Sequence, residues 1–154
     1  PENVALTTQT TLSLDDTAEI IAVLKRRFPA LQSPASSDIC YATQNRQDAV
    51  KTIVEETAAE LVLVVGSQNS SNSQRLVEVA RAGGADSYLI DGVDDLDPSW
   101  LDDHPRVALT AGASAPEVLV REVLDYLETR GYARKGNEVP TDEGVVFALP
   151  PQVR

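Results

Sequence analysis

Hydrophobic positions along the chain alternate between the spacing of a helix and that of a strand. In residues 14–28, Ala18, Ile21, Ala22 and Leu24 recur along one helical face, and Ser13 followed three residues later by Asp16 has the form of a helix start. Pro29 ends that helix, and residues 29–37, rich in Pro, Ser and Ala, read as a connection between structural units. After a loop around Cys40, a second helix is predicted over residues 48–59. It leads into Leu61-Val62-Leu63-Val64-Val65, an unbroken apolar run that predicts a strand covered on both faces, as in a parallel sheet. A polar loop (66–73), a helix (74–82) closed by Gly83-Gly84 and a short strand (87–90) follow. Beyond an acidic stretch come a helical turn (98–101), the strand Val107-Ala108-Leu109-Thr110, and the small-residue turn Ala111-Gly112-Ala113-Ser114-Ala115. The next helix has Pro116 as its first residue, carries Val120, Val123, Leu124 and Leu127 on one face, and stops near Arg130 and Gly131. A polar linker then precedes a last strand at 145–149. The recurring order of strand, loop and helix predicts an α/β architecture built on a parallel sheet.

Composition narrows the classes of partner. With 154 residues and 42% hydrophobic content the chain can build a core, and no apolar run approaches the roughly 20 residues of a membrane-spanning helix. The first residues lack a secretory pattern, so a cytoplasmic location without membrane attachment is expected. A net charge of −11 argues against nucleic acid, whose phosphates require clustered Lys and Arg. It leaves a small anion open, because a local nest of N–H and hydroxyl donors binds one inside an acidic protein. The lone cysteine, Cys40, cannot form an internal disulfide and fits a reducing compartment.

Ligands of parallel α/β sheets gather where strands end and helices begin, which selects residues 66–73 and 111–115. Ser70, Ser71, Asn72 and Ser73 present side-chain donors where a helix N-terminus also offers free N–H groups, a combination suited to a phosphate or diphosphate. The alternative is that Ser71, Asn72 or Ser73 merely caps the helix; Ser114 has the same two readings. Neither loop is a Walker loop or a dinucleotide fingerprint. Cys40 is either a packed bystander or a chemical residue, His104 reads as a solvated loop residue without catalytic role, and Thr7-Thr8-Gln9-Thr10-Thr11 reads as an exposed strand.

Four blocks taken together, Thr8-Gln9-Thr10-Thr11-Leu12-Ser13, Asp38-Ile39-Cys40-Tyr41-Ala42-Thr43 with Asn45-Arg46-Gln47, Asn69-Ser70-Ser71-Asn72-Ser73, and Thr110-Ala111-Gly112-Ala113-Ser114-Ala115-Pro116, resemble the LytB family of 4-hydroxy-3-methylbut-2-enyl diphosphate reductases, from its C-terminal half. The resemblance implies three α/β units around one 4Fe-4S cluster, each giving one cysteine, with the fourth coordination position open to substrate. Cys40 matches the third cysteine, and Ser70, Ser71, Asn72 and Ser114 match the family's diphosphate-binding positions. Thr10 matches a threonine near the substrate hydroxyl. The other two cysteines, the diphosphate histidines and a proton-delivering glutamate belong to the N-terminal half and have no counterpart here. By the same pattern residues 1–36 end the second unit, 37–115 form the third, and 116–154 return to the first. The implied reaction is reductive dehydroxylation to isopentenyl and dimethylallyl diphosphates, with ferredoxin or flavodoxin as electron donor and no activity from this half alone. The alternative is a non-catalytic module that binds diphosphate or assembles with the N-terminal half.

Overall fold

The apolar run Leu61–Val65 forms the central strand of a parallel sheet in the computed structural model, which describes residues 3–34 and 38–134. In chain order the elements are α1 (Leu14–Arg27), α2 (Tyr41–Thr57), β1 (Leu61–Val65), α3 (Ser71–Ala82), β2 (Asp86–Ile90), the 3-10 turns Val93–Asp95 and Pro98–Leu101, β3 (Val107–Ala111) and α4 (Glu117–Thr129). The sheet order is β2-β1-β3, with Leu61 in register with Asp86 on one side and Val107 on the other.

Strand periodicity divides the central run between two cores. Val62 and Val64 pack with Val50 and Val54 of α2 and Leu76, Val77 and Ala80 of α3. Leu61, Leu63 and Val65 pack on the opposite face with Val123 and Leu127 of α4 and with Leu96 and Leu101. Burying a side chain of this size contributes about 1.5–3 kcal/mol, so the doubly covered strand anchors the fold. Gly84 and Gly131, with φ of 92° and 93°, adopt the left-handed conformation that ends α3 and α4. The closing bonds Ala85 N–H to Ala80 C=O and Tyr132 N–H to Leu127 C=O complete both ends. The α/β parallel-sheet reading is therefore observed, and no helix among the described residues is long and apolar enough to cross a membrane. The strand expected at 145–149 lies outside the described residues.

Several boundaries differ from expectation, each for a physical reason. α2 begins at Tyr41 instead of residue 48, because its buried face is Thr43, Gln47, Val50 and Val54: the spacing is helical, but the first two members are polar. α3 begins at Ser71 instead of 74, its first turn burying Asn72 and Ser73. Pro116 is the N-cap of α4 and not its first helical residue. The threonine-rich segment is not a strand. Thr7 Oγ1 and the Thr8 N–H donate to the Asp38 carboxylate, at 3.1 and 2.9 Å, and the chain turns at Gln9–Leu12. Ahead of it, Ala5 pairs in parallel with Gln32 across α1, separate from the main sheet. His104 is not a solvated loop residue either: its ring lies 2.6 Å from the Trp100 carbonyl and 3.1 Å from Asp86, holding the 3-10 turn to the start of β2.

Three surface carboxyls are held below their ordinary range: Asp15 by a hydrogen bond from Lys51, Glu60 by one from Arg106, and Asp97 by the Ser99 backbone N–H. A lowered pKa in the folded state gives stability that is present above the ordinary values, 3.8 for Asp and 4.5 for Glu, and lost as pH falls through the lower folded values. The melting temperature is accordingly expected to be level above about pH 5 and to fall below about pH 4, modestly because Asp15 and Asp97 are exposed and Glu60 is only partly buried. Thermal scans of Glu60→Gln should show a shallower acid slope than the parent.

Candidate functional site

The order β2-β1-β3 makes the chain leave β1 toward one side and return on β3 at the other, which puts a switch point, where ligands of such sheets bind, at the carboxyl ends of β1 and β3. The loops expected to carry chemistry begin there. The Gly66 N–H donates to the Ile90 carbonyl and the Gly112 N–H to the Val65 carbonyl, both at 2.9 Å, so the two loops leave the sheet side by side. Ser73, 1% exposed, fills the space between them. A Cβ on either Gly66 or Gly112 would land on its hydroxyl, so close approach is what these two glycines provide.

The cap of α3 is Ser70, and not Ser71, Asn72 or Ser73. Its Oγ accepts from the Ser73 N–H at 3.3 Å and from the Ser73 hydroxyl at 3.0 Å. One residue satisfies the cap, which leaves the next two to be explained. Ser71 is exposed, and its Oγ accepts a 3.1 Å hydrogen bond from Thr11 Oγ1. Asn72 is only 8% exposed, yet neither atom of its amide has a hydrogen-bond partner. Buried polar groups are normally paired, and leaving one unpaired costs about 1–3 kcal/mol. A ligand acceptor reaching its Nδ2 would relieve the donor's share of that cost.

Cys40 enters the same region from α2. It is the exposed N-cap of that helix, makes no side-chain capping bond, and its N–H donates to the Thr10 carbonyl at 2.9 Å. Two turns along, fully buried Gln47 donates from Nε2 to the Thr11 carbonyl at 3.4 Å, while its Oε1 has no partner. The Thr10–Thr11 segment thus ties the start of α2 to the start of α3, bringing Thr10, Cys40, Ser70, Ser71 and Asn72 into one neighbourhood. Ser114 stands exposed on the adjacent loop, two residues past Gly112, and does not cap α4. Neither α2 nor α3 has an acidic residue in its first turn, so the helix N-termini keep their partial positive charge inside a chain of net charge −11. His104 lies at the opposite end of the sheet, against the first residue of β2.

Gln47 and Thr11 were not legible as members of this neighbourhood. Gln47 shares a helical face with the residues after Cys40, but the helix had to be extended to Tyr41 before that spacing had meaning. As metal donors, the residues present fit one corner of a cluster: Cys40 offers an exposed thiol, and among the described residues no group of three or more His, Cys, Asp and Glu could hold a metal ion. One thiolate does not fit a whole four-iron cluster.

The chain is 55% identical over 154 residues to the 4-hydroxy-3-methylbut-2-enyl diphosphate reductase of Stenotrophomonas maltophilia (strain K279a), covering all of this chain and 48% of that protein. It is 50% identical over 153 residues to the protein of the same name from Actinobacillus pleuropneumoniae serotype 5b (strain L20), covering 99% of this chain and 48% of the relative. Among solved structures, the E-1-hydroxy-2-methyl-but-2-enyl-4-diphosphate reductase of Plasmodium falciparum superposes with a TM-score of 0.76 at 40% identity, over 82% of this chain and 40% of that one. The chain therefore spans about half the length of the curated relatives it matches. The profile of the family described as LytB protein matches residues 1–128, most of the chain and all four polar blocks, and the chain belongs to that family.

Proposed function

We propose that this chain is the C-terminal half of a 4-hydroxy-3-methylbut-2-enyl diphosphate reductase, which removes the allylic hydroxyl reductively to give isopentenyl and dimethylallyl diphosphates in non-mevalonate isoprenoid synthesis. The observation that carries the reading is the unpartnered, nine-tenths-buried Asn72 amide, set among serine hydroxyls at the N-terminus of α3 and tied through Thr10–Thr11 to Cys40. Ser70, Ser71 and Asn72, joined by Ser114, bind the diphosphate with hydroxyl and amide donors reinforced by the helix N-terminus. Anchoring that end orients the five-carbon chain toward Thr10, beside the substrate hydroxyl, and holds its charge without bulk water. Cys40 gives one thiolate to a 4Fe-4S cluster, and two further cysteines come from the N-terminal half. The cluster supplies the electrons, received from ferredoxin or flavodoxin. Residues 1–36 close the second α/β unit of the complete enzyme, 37–115 make the third, and 116–154 lead back to the first. The enzyme works in the cytoplasm, and this half alone is inactive.

Joining the chain to its N-terminal half, reconstituting iron and sulfide without oxygen, and adding reductant with substrate should yield both five-carbon diphosphates; absence of both overturns the assignment. The single cysteine favours one competing reading, a module that binds diphosphate or the N-terminal half without catalysis. Under it, calorimetry would show binding of inorganic diphosphate and of a separately produced N-terminal half, and the joined protein would show no turnover.

A further inference from the structure

We infer that Thr11 and Ser73 are positioning residues, a back row of hydroxyls that fixes Ser70 and Ser71 as hydrogen-bond donors toward the ligand. The inference rests on the diphosphate reading and specifies how the site selects an anion. A serine hydroxyl has one proton and two acceptor sites. Ser70 Oγ uses both acceptor sites behind itself, on the Ser73 N–H at 3.3 Å and the Ser73 hydroxyl at 3.0 Å. Its own proton is therefore free to point forward. The direction of the hydroxyl pair follows from burial: Ser73, 1% exposed between Gly66 and Gly112, has Ser70 Oγ as its hydroxyl's partner among the described hydrogen bonds, and a buried O–H without an acceptor is costly. Ser71 repeats the pattern, since its Oγ accepts from Thr11 Oγ1 at 3.1 Å and keeps its proton for the outer side.

A front row held as donors fits a ligand that only accepts, such as a phosphate or diphosphate group. It disfavours a cation, which the chain's net charge of −11 would otherwise attract. Asn72, directly after Ser71 in sequence and with its amide unpartnered, adds N–H donors to the same front. The glycines after β1 and β3 serve this arrangement, because any side chain there would displace the Ser73 hydroxyl that orients Ser70.

The test titrates inorganic diphosphate into the protein at the full length of its relatives and reads Kd by calorimetry beside the melting temperature. Ser70→Ala is expected to raise Kd roughly tenfold or more, as loss of a hydrogen bond to a charged group does. Ser73→Ala should raise it several-fold with little change in melting temperature, and Ser70→Ala/Ser73→Ala should bind no more weakly than Ser70→Ala, since Ser73 acts through Ser70. Thr11→Val should weaken binding while Thr11→Ser, which keeps the hydroxyl, should not. Multiplying effects in the Ser70/Ser73 double variant, or an unchanged Kd in Ser73→Ala and Thr11→Val while Ser70→Ala and Ser71→Ala bind weakly, overturns the positioning role alone. Unchanged affinity in both Ser70→Ala and Ser71→Ala overturns the diphosphate reading, and the inference with it.

Discussion

Cys40→Ser, made in the protein at the full length of its relatives, is expected to abolish the brown absorbance of a reconstituted 4Fe-4S cluster and all turnover while leaving the polypeptide at least as stable. Serine's oxygen is a poor replacement for a soft thiolate on iron, so the metal-binding consequence is close to all-or-none. The folding consequence has the opposite sign. Cys40 is the exposed N-cap of α2 and makes no side-chain capping bond, whereas serine is among the preferred residues there, where a good cap is worth about 0.5–2 kcal/mol. Iron and sulfide per protein, the visible spectrum and the melting temperature of the metal-free form together check the prediction. A stoichiometric cluster surviving in Cys40→Ser would remove Cys40 from the ligand set. In this chain alone, reconstitution should yield no stable cluster even with Cys40 intact, because one thiolate cannot hold four irons.

The second large effect is expected where folding and ligand binding share residues. Replacing Ser70, Ser71 and Asn72 together by alanine removes the cap of α3, a loss of about 0.5–2 kcal/mol to stability. That loss is offset in part, because Asn72→Ala also removes a buried amide that has no partner. Binding has no such offset: hydrogen bonds to a charged ligand contribute about 1.5–3 kcal/mol each, so losing several should raise the substrate Kd by two or more orders of magnitude. Equilibrium binding and thermal melts on the same preparation separate the two. A large fall in melting temperature with unchanged affinity would show that these residues only build a helix end.

Wherever burial was apolar, the sequence was sufficient. Leu61–Val65 could only be a strand covered on both faces, and the structure divides it, Val62 and Val64 to one core and Leu61, Leu63 and Val65 to the other. Ser13 and Pro29 bracketed α1, and Gly84 and Gly131 sit at left-handed closures after α3 and α4. The rule that ligands collect at carboxyl strand ends singles out both loops as candidates from the sequence alone. The family, too, was legible, because four polar blocks in order are specific even when each alone is ambiguous.

Tertiary structure decided what was polar and buried. Thr43, Gln47, Asn72 and Ser73 belong to helix faces that no hydrophobic pattern can reveal, so the first turns of α2 and α3 were read as loop. Which serine caps α3 depended on backbone geometry: Ser70 lies in the extended conformation a cap needs, so Ser71 and Asn72 are not what closes the helix end. His104 became a fastener because folding brings Asp86 and the Trp100 carbonyl to its ring from elsewhere in the chain. Most consequential is the meeting of residues far apart in sequence. Gly112 takes its place beside Val65 because the order β2-β1-β3 sets the ends of β1 and β3 next to each other, and Thr11 reaches Ser71 across 60 positions because Cys40 and Gln47 of α2 hold residues 10–11 against the start of α3. Local composition determined which residues were available for chemistry; the strand order, a long-range property that no local window encodes, determined which of them face one another.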